Sequence, residues 1–546
     1  MMTLELDQIK TYILDSFNKE LISKAREHHR KINMHVNGVG LDAWLKQIKT
    51  YENDQQYLLR KQYKRSNKAL YSNLLRPLDK VFHTRGGAKY YNLSENQEKE
   101  FKQILSSLPN GFSVEKFCET IWKQKKITDP SGIIFIEISV DGESSYPSYK
   151  SITSILDYQF NNTSIEYVIF EPEEVLVGDK TFEKIRVVDD AFDYMFRKEE
   201  DEITLIEDET FPNYWGYVPA IIISNEFDEV YGYAKSFIDS SIELADEVVC
   251  DNSVKNIFKK TSGFPSYWEY ERKCLVCSNS PGYLNGDKCP SCGGDGIRKS
   301  KDVSDITVVA LNEQGESNPT PPSGYVAPDI TTWKQMNEEE DYLKQAIHYA
   351  QWGTLAFIED SVQKTATGVT ADLMPVHDQL NVFSSEAESI EKFITDTIGR
   401  FYYGLGYKGS TIIYGRRYVV ESPDQIINKL AEMKQKGVSE NIQRNKYKEY
   451  LQAEYNNDPY EMTKQIKIFD LDLFPLYTTK DFSDMGLEKA MIEKLLFGEW
   501  IKTIPDNELI FEDKKKLQND RDIFINEKIN KYGTEHQENV QGYSSN

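Results

Sequence analysis

The stretch "GYVPAIIISNEFDEVYGYAKSFIDSSIELAD", residues 216–246, joins an apolar run to the start of a long acidic segment. The run that ends at Asn225 predicts a buried strand, and a glycine-containing turn leads from it into helical spacing. We expect a helix over about residues 233–260, roughly 40 Å long at 1.5 Å per residue. One side of this helix is apolar and the other acidic, with carboxylates at Asp239, Glu243, Asp246, Glu247 and Asp251.

A second long helix is predicted for "ITTWKQMNEEEDYLKQAIHYAQW", residues 330–352. Asp329 follows Pro328 and is a good N-cap for it. The middle of this helix is also acidic, at Glu338, Glu339, Glu340 and Asp341. Because the two helices can return side by side, we expect the segment between them to lie at the far tip of an antiparallel pair.

Four of the six cysteines fall in that intervening segment, as Cys274-x2-Cys277 and Cys289-x2-Cys292. Two such pairs are spaced as a tetrahedral Zn²⁺ site requires, and the glycines among them permit tight turns. Four thiolate ligands leave no open position for a substrate, so the pattern predicts one structural zinc ion per chain. Four unpaired thiols remain the alternative.

The composition limits which partners are compatible with the chain. It has 546 residues, with 88 Asp and Glu against 65 Lys and Arg, for a net charge of −23. Such a surface repels nucleic acid on average. Any contact with DNA is therefore either confined to a local patch or made by a surface along which the DNA slides. No apolar run is long enough for a membrane span, and no secretion signal is recognised, which predicts a cytosolic chain without membrane contact.

The order of elements predicts an α+β fold. Residues 1–125 have mostly helical spacing, and strand-like segments begin at about residue 129. After Trp352, a small-residue loop precedes a helix of about 30 residues, and the remainder is helical and polar with a disordered tail after Tyr532. No nucleotide-binding, metalloprotease or serine-hydrolase motif is present, so we do not expect an enzyme.

This order resembles the portal proteins of tailed bacteriophages over about residues 120–405. "DPSGIIFIEISVD" (129–141) is similar to the early wing strand of the family, and residues 216–246 to its entry into the first stem helix. "QKTATGVTADLM" (363–374) is similar to the exit of its tunnel loop. Tetracysteine knuckles are not part of the usual pattern, and they fall where the clip would be.

The resemblance implies a portal-like architecture with a mixed helical and strand wing, two antiparallel stem helices, a clip with zinc knuckles, and a helical crown. The implied parts are the wing at 1–230, the first stem helix at 231–260, the clip at 261–328, the second stem helix at 329–352, the tunnel loop and long wing helix at 353–405, and the crown and tail at 406–546.

The resemblance also implies a function. Portal proteins form a homo-oligomeric ring, usually of twelve subunits, at one capsid vertex, through which double-stranded DNA is packaged and ejected. The implied partners are the major capsid protein, the terminase, neck and tail adaptor proteins and the DNA. The implied location is the portal vertex of the virion, after assembly in the host cytoplasm.

Two groups of residues would then meet the DNA. An acidic channel lining is expected from Glu243, Asp246, Glu247, Asp251, Glu338, Glu339, Glu340 and Asp341, for which an outer solvated face is the alternative. The tunnel loop is expected from Gln363, Lys364, Thr365, Ala366, Thr367, Gly368, Val369 and Thr370, with Lys364 as a lone cation.

Two other classes of protein stay open at this point. A zinc-ribbon nucleic-acid-binding protein would need a basic surface around the knuckles, to which Lys273, Lys288, Arg298, Lys299 and Lys301 could contribute. An enzyme with a structural zinc would need a cluster of acid, base or nucleophile that the sequence does not display. The second knuckle also fits the zinc domain of DnaJ chaperones, but the first does not, and no H-P-D motif occurs.

Overall fold

A computed structural model describes residues 3–47, 53–84, 86–177, 180–200, 202–261, 266–270, 274–277, 282–296, 307–309, 323–326, 330–355, 373–416, 418, 423–455 and 458–543. The fold mixes helices and strands, as predicted. It divides into two compact units, Met1–Tyr418 and Val419–Asn546.

The first unit begins with helices, as the spacing of its apolar residues predicted. These are α1 (Leu6–Leu14), α2 (Lys19–Asn37), α3 (Leu41–Gln47), α4 (Asp54–Tyr63), α5 (Lys68–Leu74), α6 (Lys80–His83), α7 (Glu95–Ser106), α8 (Val114–Phe117) and α9 (Lys123–Thr128). One turn of π-helix, Cys118–Trp122, joins α8 to α9. A short strand, β1 (Ala88–Tyr91), interrupts this helical region.

An antiparallel sheet follows, in the order β10-β8-β7-β5-β11-β2-β3, with β4, β6 and β9 paired to β5, β7 and β8. Its strands are β2 (Ile133–Ile138), β3 (Ser145–Lys150), β4 (Ile155–Asn161), β5 (Ser164–Phe170), β6 (Glu173–Val177), β7 (Lys180–Val188), β8 (Phe192–Glu199), β9 (Glu202–Leu205), β10 (Phe211–Pro212) and β11 (Ala220–Ile222). The strand-rich region expected from residue 129 is confirmed.

Strand β2 supplies apolar side chains to both faces of this sheet. Ile134 and Ile136 join a core with the long helix α12 (Met374–Tyr403), whereas Ile133 and Phe135 join a separate core with α2. This alternation is the period of two that a pleated strand imposes. The sheet is therefore covered by helices on both faces, and α12 has the length of about 30 residues that the sequence predicted.

Helices α10 (Ile242–Thr261) and α11 (Ile330–Trp352) pack against each other in antiparallel directions. At one end, the Phe258 and Trp333 rings stack with their centroids 6.2 Å apart. At the other end, Gln351 Nε2 donates to the Phe237 carbonyl at 2.7 Å. Within the described residues, neither these helices nor any other is long and apolar enough to cross a membrane.

The first of these helices begins later than predicted. Residues 233–238 are not helical, and α10 begins at Ile242 after a single 3-10 turn. The cause is a set of polar contacts that periodicity does not reveal. Asp239 accepts a hydrogen bond from the Ser236 backbone N–H at 3.1 Å, and Ser236 Oγ donates to the Ile127 carbonyl at 2.6 Å. These bonds hold the approach to α10 in a turn.

The segment between α10 and α11 contains two small sheets. In the first, β12 (Ser266–Tyr270) pairs antiparallel with β16 (Ser323–Val326) and parallel with β15 (Thr307–Val309). In the second, β13 (Tyr283–Leu284) and β14 (Asp287–Lys288) form a hairpin. Because β12 follows α10 and β16 precedes α11, their pairing closes the segment at its base.

The first unit extends past the predicted boundary at residues 405 and 406. Strand β17 (Ser410–Ile413) pairs antiparallel with β1, more than 300 residues earlier in the chain. Tyr407, Tyr414 and Tyr418 are buried in the same core as α12. Residues 406–418 therefore belong to the first unit and not to a crown, because long-range strand pairing and tyrosine burial hold them there.

The second unit is helical around an apolar core that includes Leu471, Phe497 and Trp500. Its helices are α13 (Pro423–Gln435), α14 (Glu440–Glu454), α15 (Pro459–Leu471), α16 (Thr479–Met485), α17 (Glu488–Ile501), α18 (Asp506–Phe511) and α19 (Lys514–Tyr543). Helix α19 runs on to Tyr543, past Tyr532, where the sequence predicts the start of a disordered tail. No proline after Lys514 stops this helix.

Two glycines in helices test how tightly the cores are packed. A Cβ at Gly399 in α12 would lie 2.6–2.8 Å from ring atoms of Tyr407, whereas Gly498 in α17 has no atom within 4 Å of such a position. We expect Gly399→Ala to lower the free energy of unfolding of the first unit by about 1–3 kcal/mol through overpacking. Gly498→Ala is expected to stabilise the second unit by up to about 1 kcal/mol, because alanine favours a helix.

Differential scanning calorimetry of the two variants measures both effects. A first unit that is equally stable or more stable with Gly399→Ala would contradict the packing of Tyr407 against α12.

Candidate metal centre and acidic helix pair

The four cysteines of the two knuckles converge. All are buried, none forms a disulfide, and their sulfur atoms lie within 4.8 Å of one another. Cys274 Sγ is 3.9 Å from Cys289 Sγ, and Cys277 Sγ is 3.6 Å from Cys292 Sγ. Sulfurs bound tetrahedrally at about 2.3 Å from one ion would be about 3.8 Å apart, whereas disulfide sulfurs are about 2.05 Å apart. The spacing fits a shared metal ion.

Glycine at position 282 is required for this convergence. Its φ is +88°, and its carbonyl accepts a hydrogen bond from the Cys289 N–H at 2.9 Å. A Cβ there would lie 2.0 Å from the Gly294 carbonyl oxygen, so the two knuckles could not approach each other. The hairpin between them turns at Asn285 and Gly286, which both have positive φ, as a tight two-residue turn demands.

Backbone N–H groups point at the sulfur atoms. Gly282 N donates to Cys277 Sγ at 3.4 Å, and Gly296 N to Cys292 Sγ at 3.3 Å. The N–H groups of Cys277 and Val276 lower the pKa of Cys274 to about 6. Burial opposes ionisation of Cys292, but backbone N–H groups outweigh it and lower its pKa too. Cys274 therefore favours the thiolate form that binds metal, and the pKa of Cys292 is shifted in the same direction.

Cys277 behaves differently, because burial raises its pKa to about 12. A metal ion that binds all four sulfurs must therefore displace a proton from this thiol. Metal binding to such a site releases protons and strengthens as the pH rises.

Among its described residues, the segment forms no apolar core besides these sulfurs. The buried cluster within it consists of the four cysteines alone. The large apolar side chains that the structure describes there are exposed instead, at Leu275, Val276, Tyr283 and Leu284.

The basic residues considered around the knuckles are mostly not described. Lys288 lies exposed on β14. Lys273, Arg298, Lys299 and Lys301 lie outside the described residues, and so does the whole expected tunnel loop, residues 363–370.

Among the described residues, three of the eight expected channel carboxylates form ion pairs within the chain: Asp246, Glu340 and, more weakly at 3.8 Å from Lys344 Nζ, the exposed Asp341. Asp246 is half-buried, 2.9 Å from Lys31 Nζ and 3.1 Å from His35 Nε2. Glu340 is 8% exposed and pairs with Lys255 and, at 2.5 Å, with Lys344. Their charges are offset within the chain.

Apart from Asp246 and Glu340, the expected channel residues are more open to solvent. Those exposed to solvent are Glu243, Glu247, Glu338, Glu339 and Asp341. Asp251 is half-buried, and its pKa is raised by burial first and then by the charges of Glu339, Glu247 and Glu340. The helix pair therefore brings carboxylates from α10 and α11 close enough to repel one another.

One buried charged pair was not predicted. Lys126 Nζ lies 2.8 Å from Glu386 Oε2, and the two side chains are 3% and 5% exposed. They border a cavity of about 520 Å³ together with Gln351. The only signal for this pair in the sequence is a charged residue on the otherwise apolar, buried face of a helix. No local pattern relates Lys126 to Glu386, because they lie so far apart in the chain.

A scan against known protein-family models found no match, and a search of curated proteins found no significant match. What the chain does is therefore inferred from its fold and its own residues.

Asp251 and Glu340 are expected to affect stability in opposite directions. The pKa of Asp251 is raised above 3.8 in the folded chain, so its charge destabilises the folded state at neutral pH. We expect Asp251→Asn to stabilise the protein by a few tenths of a kcal/mol at pH 7 after solvent screening. This gain should shrink as the pH falls through the folded pKa, and vanish below about 3.8.

Glu340→Gln is the variant to compare with Asp251→Asn. Burial opposes ionisation of Glu340, but hydrogen bonds from Lys255 and Lys344 outweigh it and lower its pKa below 4.5. Its ionised form stabilises the fold above pH 4.5, and that contribution is lost as the pH falls through the folded pKa. We expect a loss of about 1 kcal/mol at pH 7 that disappears in acid. Urea titrations at several pH values measure both variants, and equal signs at pH 7 would contradict these roles.

Proposed function

We propose that this chain is a phage portal protein, a subunit of a ring at one capsid vertex through which double-stranded DNA is packaged and ejected. The observation that carries the proposal is the antiparallel pair α10 and α11. Ile242 and Ala245 of α10, with Ile347 and Trp352 of α11, are buried in the same core as α12. The opposite ends of the two helices lead to β12 and β16. This is the arrangement expected of a stem between a wing and a clip.

The charge of the pair supports a channel for DNA. The exposed carboxylates of both helices belong to a chain with a net charge of −23. A ring that presents such residues inward would repel phosphate and let the duplex slide instead of binding it. Asp246 and Glu340 would contribute little to this field, because cations of the same chain offset them.

We further propose one structural Zn²⁺ per chain, held by Cys274, Cys277, Cys289 and Cys292. The cysteine-only cluster supports this, since the little apolar surface buried among the described residues of 274–296 cannot offset the entropy of ordering them. A structural zinc ion contributes on the order of 10 kcal/mol to folding and can close that gap. In this proposal the ion gives the clip a fixed shape without taking part in chemistry.

The proposed partners follow from this placement. Exposed apolar residues at the zinc tip, such as Leu275 and Tyr283, are suited to dock the terminase and the neck and tail adaptors. The wing would contact the major capsid protein. The chain is proposed to guide DNA rather than to catalyse a reaction, and to work in the virion after assembly in the host cytoplasm.

A ring predicts a particle many times the 63.3 kDa of one chain. Mass photometry and negative-stain microscopy of purified protein should show closed rings with a central channel. Because exposed carboxylates repel one another less in high salt, rings should persist from 0.1 to 1 M salt. Compact monomers or small oligomers over a wide concentration range would overturn the portal proposal and favour a zinc-ribbon nucleic-acid-binding protein or an enzyme.

The zinc proposal predicts about one Zn per chain by elemental analysis of protein purified without chelator. The double variant Cys289→Ser with Cys292→Ser should lose the metal and become sensitive to proteolysis between residues 274 and 296. Its far-UV circular dichroism should be nearly unchanged, because the helices have their own cores. Cys250→Ser, in α10, is the matched control and should keep its zinc. Four freely titrating thiols and no metal in the unaltered chain would refute the site.

A further inference from the structure

The cavity of about 520 Å³ near Lys126 is a second candidate site, separate from the cysteine cluster and from the exposed carboxylates. It lies between the turn that precedes α10, the C-terminal end of α11, and α12. Its volume is in the range of small-molecule sites. Gln351, Phe383 and Glu386 are buried along it, whereas Glu226 is exposed at its edge.

The buried ion pair at this cavity is not explained by stability. Lys126 Nζ contacts Glu386 Oε2 at 2.8 Å and donates to Ser224 Oγ at 2.6 Å. Buried ion pairs are costly to desolvate, and apolar residues of similar volume often serve the fold as well or better. Two opposite charges beside a cavity are what a polar ligand would require.

A buried acceptor at the same cavity lacks a partner. Gln351 Nε2 donates to the Phe237 carbonyl at 2.7 Å, which fixes the orientation of the amide. The other end of the amide, Oε1, is buried and accepts no hydrogen bond within the part of the chain that the structure describes. Buried carbonyl oxygens are normally satisfied, so this oxygen indicates a missing donor.

The charges around the cavity leave an excess of negative charge. Lys126 is neutralised by Glu386, and Asp239 is 2.7 Å from His28 Nε2. The cavity lining as a whole carries three acidic residues, Glu226, Asp239 and Glu386, against two basic residues, Lys126 and Lys235.

Glu226 contributes to this negative charge at the edge of the cavity. It makes no ion pair among the described residues, and its charge reaches Glu386. Burial, opposed by Lys126 and reinforced by Glu226, raises the pKa of Glu386. A ligand that carries positive charge would relieve this repulsion.

Two aromatic rings form an apolar wall. Phe237 and Phe383 meet edge to face, with their centroids 5.6 Å apart, and both line the cavity. Phenylalanine rings pack against alkyl chains, and their faces attract ammonium groups.

We propose that this cavity binds a small alkylammonium ligand. Its ammonium group lies against Glu226 and Glu386 and supplies the hydrogen-bond donor that Gln351 Oε1 lacks. Its alkyl chain packs on Phe237 and Phe383. This site does not depend on ring assembly or on a bound metal ion.

The test uses three probes of nearly the same shape: butylammonium, the neutral butanol and the anionic butyrate. Saturation-transfer NMR measures each dissociation constant on the full-length protein at any particle size. Butylammonium should bind at least about tenfold more tightly than butanol, because it adds a charged hydrogen bond, and butyrate should not bind.

Two variants test the residues. Glu226→Gln and the double variant Lys126→Met with Glu386→Leu should each weaken butylammonium binding about tenfold. Asp378→Asn, on the exposed surface of α12 and outside the cavity, is the matched control and should bind as the unaltered protein does. If the double variant does not fold, Glu226→Gln decides alone, since Glu226 is exposed.

Equal binding of butanol and butylammonium would overturn the proposal, as would tight binding of butyrate. Unchanged butylammonium binding in Glu226→Gln would overturn it as well.

Discussion

Burial of β2 on both faces is the constraint on which the first unit depends. Ile134 and Ile136 pack toward α12, and Ile133 and Phe135 pack toward α2, so one strand joins two cores. The indole of Trp122 adds a hydrogen bond to this connection, since Trp122 Nε1 donates to the Ile223 carbonyl at 3.1 Å. The antiparallel helices α10 and α11 are anchored in the same core. Helix α4 supports the pair farther from this core, where Arg60 Nη1 donates to Ser253 Oγ at 3.0 Å and Asn256 Nδ2 donates to the Tyr63 carbonyl at 3.2 Å.

The fold divides the carboxylates of this acidic chain into those that meet cations and those that stay exposed. Carboxylates near the core meet cations, as Asp246 meets Lys31 and Glu340 meets Lys255. Those on the outer sides of α10 and α11, such as Glu247 and Glu339, stay exposed. The average charge of a sequence thus says less about function than the positions of its unpaired charges in the fold.

Features with a local period or a fixed spacing could be predicted from the sequence. The strands after residue 129, both long helices of the pair and the cysteine cluster were all predicted in this way. Contacts between distant residues could not be predicted. Ser236 and Asp239 delay the start of α10 through bonds to one another and to Ile127, and β17 extends the first unit by pairing with β1. Lys126 and Glu386 meet only because the tertiary fold brings α9 beside α12.

The π-helical turn at Cys118–Trp122 has a consequence for how this chain can change over generations. A π-turn holds one residue more than an α-helical turn, and each residue rotates a helix by about 100°. Loss of a single codon within that turn would therefore rotate α9 and carry Lys126 out of the interior. Point substitutions there alter one side chain, but a one-residue deletion would change the face of every residue up to Thr128. The number of residues in this turn therefore matters more to the fold than the identity of each residue.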